Sequence, residues 1–275
     1  MILITGATGK VGRHVVARLL EAGQKVRAIS RSPERSRLPT EVEVLQADLA
    51  LPHTLDAALD GVTGAFLFPS DHPLDGFTAA ALRAGVRQVV LLSSTVPGYD
   101  RPNPISAKHL AHERTLLDSG LPWTFVRPGG FMSNDLFWAP AVKAEGVVRD
   151  PFGQAALALI DERDIAAVAV AALLDETHLG KAHEITGPQA LTPIERTRIL
   201  GAALGRELRF EQQSHADFKA WVSRHYPPEY ADAMIDFGAY FDGRPGPVYP
   251  TVEQITGRPA HTYAEWAALH ASSFR

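Results

Sequence analysis

A doubly wound α/β fold, a parallel sheet with a smaller, mostly helical C-terminal region, is what this sequence predicts, on three observations. The chain opens Met1-Ile2-Leu3-Ile4-Thr5-Gly6-Ala7-Thr8-Gly9-Lys10-Val11-Gly12, a short apolar strand that passes through spaced glycines into a helical pattern. Apolar strands then alternate with helical segments up to Val126, the spacing of βαβ units with right-handed crossovers. Beyond Val126 come helices rich in aromatic residues. We expect a dinucleotide-binding, Rossmann-type domain over residues 1–130 and a substrate-binding region over 131–275, with segments around 155–190 packing back on the first core.

The first strand ends in Gly6, and Gly9 and Gly12 follow at three-residue spacing. Such a turn suits a pyrophosphate, because glycine lets the backbone approach closely while the first N–H groups of the helix point at the anion. Gly6 makes the turn, Gly9 permits approach and Gly12 lets helix and strand pack, with Thr8, Lys10 and Val11 completing the cradle. Val11, Val15, Val16, Leu19 and Leu20 give the helix one apolar face, and Gly23 stops it.

The second strand, Lys25 to Ser30, ends in Arg31-Ser32-Pro33-Glu34-Arg35. An acid about 20 positions beyond the glycines would bind the ribose 2′-hydroxyl. Here Arg31 stands instead, with Ser32 and Arg35, and a guanidinium beside a hydroxyl suits a 2′-phosphate. The expected cofactor is therefore NADP (NADPH). The third strand, Val42 to Ala47, leads to Asp48-Leu49, where the carboxylate either accepts from the adenine amino group or caps the helix prepared by Pro52 and Thr54. Phe68 and Pro69 close the fourth strand, Phe77 to Gly85 forms a helix, and Gln88 to Thr95 is the fifth strand, with Ser93, Ser94 and Thr95 at its carboxyl end.

Composition narrows the class. With 275 residues, 45% of them hydrophobic, the chain can bury a sizeable core. A net charge of −4 with scattered basic residues gives no nucleic-acid footprint, and zero cysteines exclude disulfides and thiolate chemistry. Histidines such as His14, His53 and His72 lack the spacing of zinc ligands, so no metal is expected. No G-x-S-x-G element supports serine hydrolysis. No apolar run reaches the roughly 18 residues of a membrane span, and no targeting segment precedes the first strand, so a cytoplasmic protein is expected.

Thr5-Gly6-Ala7-Thr8-Gly9-Lys10-Val11-Gly12, the Val-Val-Leu-Leu-Ser-Ser-Thr strand, Ser119-Gly120-Leu121-Pro122-Trp123-Thr124 and Arg127-Pro128-Gly129-Gly130-Phe131 resemble the atypical short-chain dehydrogenase/reductase superfamily. Within it the chain is similar to the NmrA-like branch, as are Ile160 to Ala166 and the closing Thr256-Gly257-Arg258-Pro259 and Tyr263 to Trp266. That branch includes NADPH-dependent quinone reductases, isoflavone-type reductases and redox-sensing regulators that bind cofactor without turnover. The resemblance implies that Ser93 lies along the cofactor and that the turn at Pro128 passes its nicotinamide end.

The chain departs from the superfamily where the proton is moved. Short-chain dehydrogenases usually carry Tyr-x-x-x-Lys on the helix after the fifth strand, the lysine lowering the tyrosine pKa. Anchored on Glu113, the alignment puts His109 at the lysine position and Ile105 at the tyrosine position. His109 then holds the nicotinamide ribose or relays a proton, and Ser94 and Thr95 are candidates to hydrogen-bond a substrate carbonyl. Lys108 and His112, four apart, are expected on another helix face, at the surface.

Past the sixth strand, Phe131, Met132, Asn134, Phe137 and Trp138 would wall a flat, hydrophobic substrate. Asp161 to Asp164 reads as an N-terminal cap and ion pair for the apolar helix Ile165 to Leu174, and Thr192-Pro193-Ile194-Glu195 as a capping box. The aromatic residues between Ser214 and Pro250 form either a lid or a subunit contact in a homodimer. An NADPH-dependent reductase of a quinone or enone is the expected function. The alternatives are a cofactor-sensing regulator without turnover and an epimerase or dehydratase that recycles bound cofactor.

Overall fold

The structure is a computed structural model that describes residues 1–95 and 103–275. Strand β1 (Ile2–Ile4) leads to helix α1 (Gly12–Glu21), then β2 (Val26–Ser30), β3 (Glu43–Gln46), the short α2 (Leu55–Leu59) and β4 (Gly64–Leu67). Helix α3 (Asp75–Ala84), β5 (Gln88–Leu92), α4 (Pro104–Ser119) and β6 (Trp123–Pro128) follow. These strands and β8 (Lys181–Ile185) form one seven-stranded sheet in the order β3-β2-β1-β4-β5-β6-β8, with every neighbouring pair parallel. The chain winds outward from β1 through β2 to β3 and returns to β4 on the other side of β1. A topological switch thus falls between β1 and β4, and ligands of such sheets bind at the carboxyl ends of the strands there.

The central strands are apolar throughout because helices cover both faces: β1, β4 and β5 are buried along their whole length. On one face α1 packs against α6 (Glu162–Leu174), joining Val15, Val16 and Leu19 to Ile165, Ala166 and Ala169. On the other, Leu55, Leu59, Phe77 and Leu116 from α2, α3 and α4 cover Leu3, Ala65, Leu67, Val89 and Leu91. Burying each large apolar side chain contributes roughly 1.5–3 kcal/mol.

Asp161 caps α6 by accepting from the Arg163 N–H and pairs with the Arg163 guanidinium, the arrangement expected from the sequence. Helix α7 (Pro193–Leu204) carries the capping box of Thr192 and Glu195. The fifth strand is shorter than its sequence suggests, ending at Leu92, although the Ser93 and Thr95 N–H groups still donate to Val126 and Pro128.

The C-terminal region has a core of its own. Met132, Trp138, Val148, Leu159, Leu200, Tyr263, Trp266 and Phe274 come together from α5 (Ala139–Glu145), β7 (Val147–Asp150), α7, α11 (Tyr263–His270) and the segments between them. A second sheet, not foreseen from the sequence, pairs β7 in parallel with β9 (Arg209–Gln212). Helices α8 (His215–Val222) and α9 (Pro228–Phe241) pack on each other, and α9 also contacts α4. Helix α10 (Thr251–Thr256) returns to the first core, where Val252 joins the residues of α1 and α6. Among the described residues no helix is long and apolar enough to cross a membrane.

Candidate functional site

The crevice at the switch is built by backbone. Gly6 leaves β1 at φ +62°, and a Cβ there would stand 2.9 Å from Cβ of Phe68, which follows β4. A Cβ on Gly12 would lie 2.1 Å from the Gly6 carbonyl oxygen, so only glycine lets α1 start this close to the strand. The Thr5 hydroxyl accepts from the Phe68 N–H at 2.7 Å and locks the two strand ends together. Gly9 N–H donates to Gly6, whereas the N–H groups of Thr8, Lys10 and Val11 meet no acceptor among the described residues. Free donors at a helix start, with no side-chain cap on α1, form an anion cradle that fits a pyrophosphate.

At the end of β2, Arg31 and Arg35 are exposed and Ser32 half-buried, and neither arginine forms an ion pair among the described residues. Ser32 N–H donates to the Ser30 hydroxyl, fixing the turn that carries Arg31. At the end of β3, Asp48 accepts from the Ala50 N–H at 2.9 Å, and its backbone is held by the Thr54 hydroxyl; Leu49 packs on the core. The Asp48 carboxylate does not cap α2, whose N-terminal residue Thr54 makes no side-chain cap. Phe68 is exposed and Pro69 half-buried along the same edge of the sheet.

Beyond β5 the site is held by an ion pair. Buried Glu113 of α4 accepts from Nε and Nη2 of Arg127, at 2.9 and 2.6 Å, and from the Ser93 hydroxyl at 2.6 Å. This bidentate bond raises the Arg127 pKa and fixes α4 across the ends of β5 and β6. One turn earlier on α4 sits His109; Ser94, Thr95 and His109 are all half-buried. Burial, reinforced by His112 and Lys108, pushes the His109 pKa down to about 4, so the ring is neutral near pH 7.

One placement differs from expectation and its neighbour's does not. His112 is buried at 5% exposure, its Nε2 facing the His72 carbonyl at 3.3 Å, because the β4–α3 connection folds over this part of α4. Lys108 does reach solvent, 2.5 Å from Asp71.

The turn after β6 divides the expected substrate wall. Pro128 is buried beside β8, Phe131 half-buried, and Asn134 and Phe137 exposed. Phe137 meets Trp221 of α8 edge-on at 5.2 Å, which brings one of the aromatic residues between Ser214 and Pro250 against the expected wall. Met132 and Trp138 point inward to the C-terminal core, at 1% and 9% exposure, and offer no face to a ligand in this structure. The reason is the buried Asp135 between them, which binds Arg196 of α7 and Tyr263 of α11, both at 2.6 Å. Lys10 donates to the Ser133 carbonyl at 3.5 Å while Glu162 accepts from its N–H at 3.2 Å, tying this turn to the glycine loop and to α6. Among the described residues no group of three acidic or histidine side chains could hold a metal.

A sheet switched between β1 and β4, with a glycine turn and free donors at that point, defines a Rossmann-type protein of the dinucleotide-binding class. The chain belongs to the NmrA-like family, whose model matches residues 1–263. It is 44% identical over 280 residues to (4-alkanoyl-5-oxo-2,5-dihydrofuran-3-yl)methyl phosphate reductase of Streptomyces griseus, covering 100% of this chain and 99% of that one. It is 37% identical over 287 residues to NAD(P)H azoreductase of Xenophilus azovorans, with the same coverage. Among solved structures, NADPH-dependent quinone oxidoreductase from Escherichia coli complexed with NADPH matches with a TM-score of 0.85 at 29% identity, over 98% of this chain and 99% of that one.

Proposed function

We propose that this protein is an NADPH-dependent reductase that passes hydride to a small, flat, conjugated acceptor of the quinone or enone type. The observation that carries this reading is the switch-point crevice, with its free backbone donors and the unpaired Arg31 beyond it. Those donors would take the pyrophosphate, and Arg31, Ser32 and Arg35 the 2′-phosphate, which selects NADPH over NADH. The names of the three relatives support the class of acceptor: an unsaturated lactone carrying a methyl phosphate, an azo compound and a quinone, each a conjugated, electron-poor group.

When bound, NADPH supplies the hydride. The protein's residues position the partners. Glu113, through Arg127 and Ser93, holds α4 so that neutral His109 faces the site as a hydrogen-bonding group and not as a cationic acid. Ser94 and Thr95, at the end of β5, are the hydroxyls for an acceptor carbonyl, and Phe137 with Trp221 walls the apolar side. With isoleucine at position 105, no tyrosine stands at the superfamily's proton-donor position. An acceptor whose reduced form takes its proton from water therefore suits this site better than a simple ketone.

Purified protein should consume NADPH when a panel of quinones and α,β-unsaturated lactones is added, well above the uncatalysed rate. Tight NADPH binding with no consumption across the panel would overturn the reading in favour of a cofactor-sensing regulator, the second function that the missing tyrosine supports.

A further inference from the structure

We propose that the part of α4 covered by the β4–α3 connection is a subsite for a phosphate monoester borne by the acceptor, with Lys108 as its main contact and His112 beside it. The proposal rests on the reductase reading above and adds the chemical class of the substrate.

One cation and one imidazole come together on this part of α4. Lys108 and His112 are four residues apart on α4, His109 and His112 three apart, and His72 lies against His112 through its carbonyl. Asp71 opposes them, paired with Lys108 but with its side chain 89% exposed. A pair so open to water holds little free energy, and a phosphate dianion can displace it. The next carboxylate along the helix, Glu113, has both oxygens taken by Arg127 and Ser93.

His112 supplies a second, independent observation. Its Nδ1 is buried and meets no partner among the described residues, although the ring is only 5% exposed. A buried polar atom left unpaired is costly unless a ligand or a proton satisfies it. Burial and the Lys108 charge favour the neutral ring, with the His72 carbonyl pulling the other way, and a dianion beside it would draw a proton onto it.

The subsite is separate from the dinucleotide's own phosphates. The glycine turn follows β1 and Arg31 follows β2, whereas α4 follows β5 on the far side of β4. His109, assigned to the reacting end, is the next residue after Lys108 on α4. The acceptor would thus be a conjugated ring with a phosphate on a short arm.

Two measurements test the proposal. The first is proton NMR of the protein with NADP+ bound, titrated with inorganic phosphate, the ring resonances being assigned with His109→Gln and His112→Gln. The His112 signals should move toward the protonated position with saturation, and Lys108→Met should weaken phosphate about tenfold or more while Lys108→Arg retains it. The second compares NADPH oxidation with a hydroxymethyl butenolide, its phosphate ester and a naphthoquinone. The ester should show a KM about tenfold or more below that of the alcohol, and Lys108→Met should bring that ratio toward one.

Absence of a saturable shift, or phosphate binding indifferent to Lys108→Met, overturns the subsite. So does an ester with no advantage over the alcohol while the quinone is reduced, a result that leaves the reductase reading intact. Saturable, Lys108-dependent phosphate binding with no acceptor reduced would sink the reductase reading and leave the anion subsite standing.

Discussion

In the proposed reading cofactor choice turns on Arg31, whose guanidinium is exposed and forms no ion pair among the described residues, at the strand end where an acid would read a ribose hydroxyl. Arg31→Asp should abolish the preference for NADPH, with NADPH affinity falling about 10–100-fold and NADH gaining, as judged by fluorescence titration. Unchanged preference would place the 2′-phosphate elsewhere. His109 gives a second prediction. Its folded pKa of about 4 lies below the ordinary 6.5, so the native state favours the neutral ring. That contribution is present above about pH 6.5 and is lost as pH falls from 6.5 towards 4, at most about 3 kcal/mol at roughly 1.4 kcal/mol per unit. Urea midpoints of the wild type should therefore drop more between pH 7.5 and pH 4.5 than those of His109→Gln. Position along the chain sufficed to place Arg31 and the glycines at strand ends, since each follows directly from its own strand. Burial of His112 was not legible, because it depends on a loop 40 residues earlier folding over the helix.

Among elements, the turn 132–138 owes its shape to a contact that no local pattern announces. Asp135 is joined to Arg196, 61 positions away, and to Tyr263, 128 positions away, and the Arg196 guanidinium also lies over the Trp138 ring at 4.9 Å. Sequence reading placed Met132 and Trp138 in a substrate wall; the pull of Asp135 on α7 and α11 turns both inward. Asp135→Ala should cost about 3–5 kcal/mol in chemical denaturation by leaving Arg196 buried without a counter-charge. Pairing Asp135→Leu with Arg196→Met should recover much of that loss, and no recovery would mean the network does more than neutralise charge. The central strands β1, β4 and β5 were legible because each is almost continuously apolar. Strands β7 and β9 were not: each is four residues long and mixes charged with apolar residues, and the pair is joined across 62 positions.

Taken as a whole molecule, the nucleotide-binding half and the later segments share a core, since Ile160, Ile165, Val168, Ile185 and Val252 pack with the residues of α1. Ligand bound at the glycine turn should therefore stabilise more than the first 130 residues. At a hundred times its dissociation constant, NADPH should add about 2.7 kcal/mol to unfolding, in a single transition seen alike by tryptophan fluorescence and far-UV circular dichroism. Two separate transitions, only the first moved by NADPH, would show that the halves unfold independently. The order of the sheet has one more effect, which concerns neighbouring molecules. Among the described residues its two outermost strands, β3 and β8, each have one side left without a partner strand. Such a side is a template on which a foreign strand could add, yet β8 reads Lys181-Ala182-His183-Glu184-Ile185 and β3 carries Glu43 and Gln46. Charge and polarity along both margins discourage edge-to-edge stacking of chains, so the sheet ends where the fold ends it and the protein is guarded against fibrillar self-association.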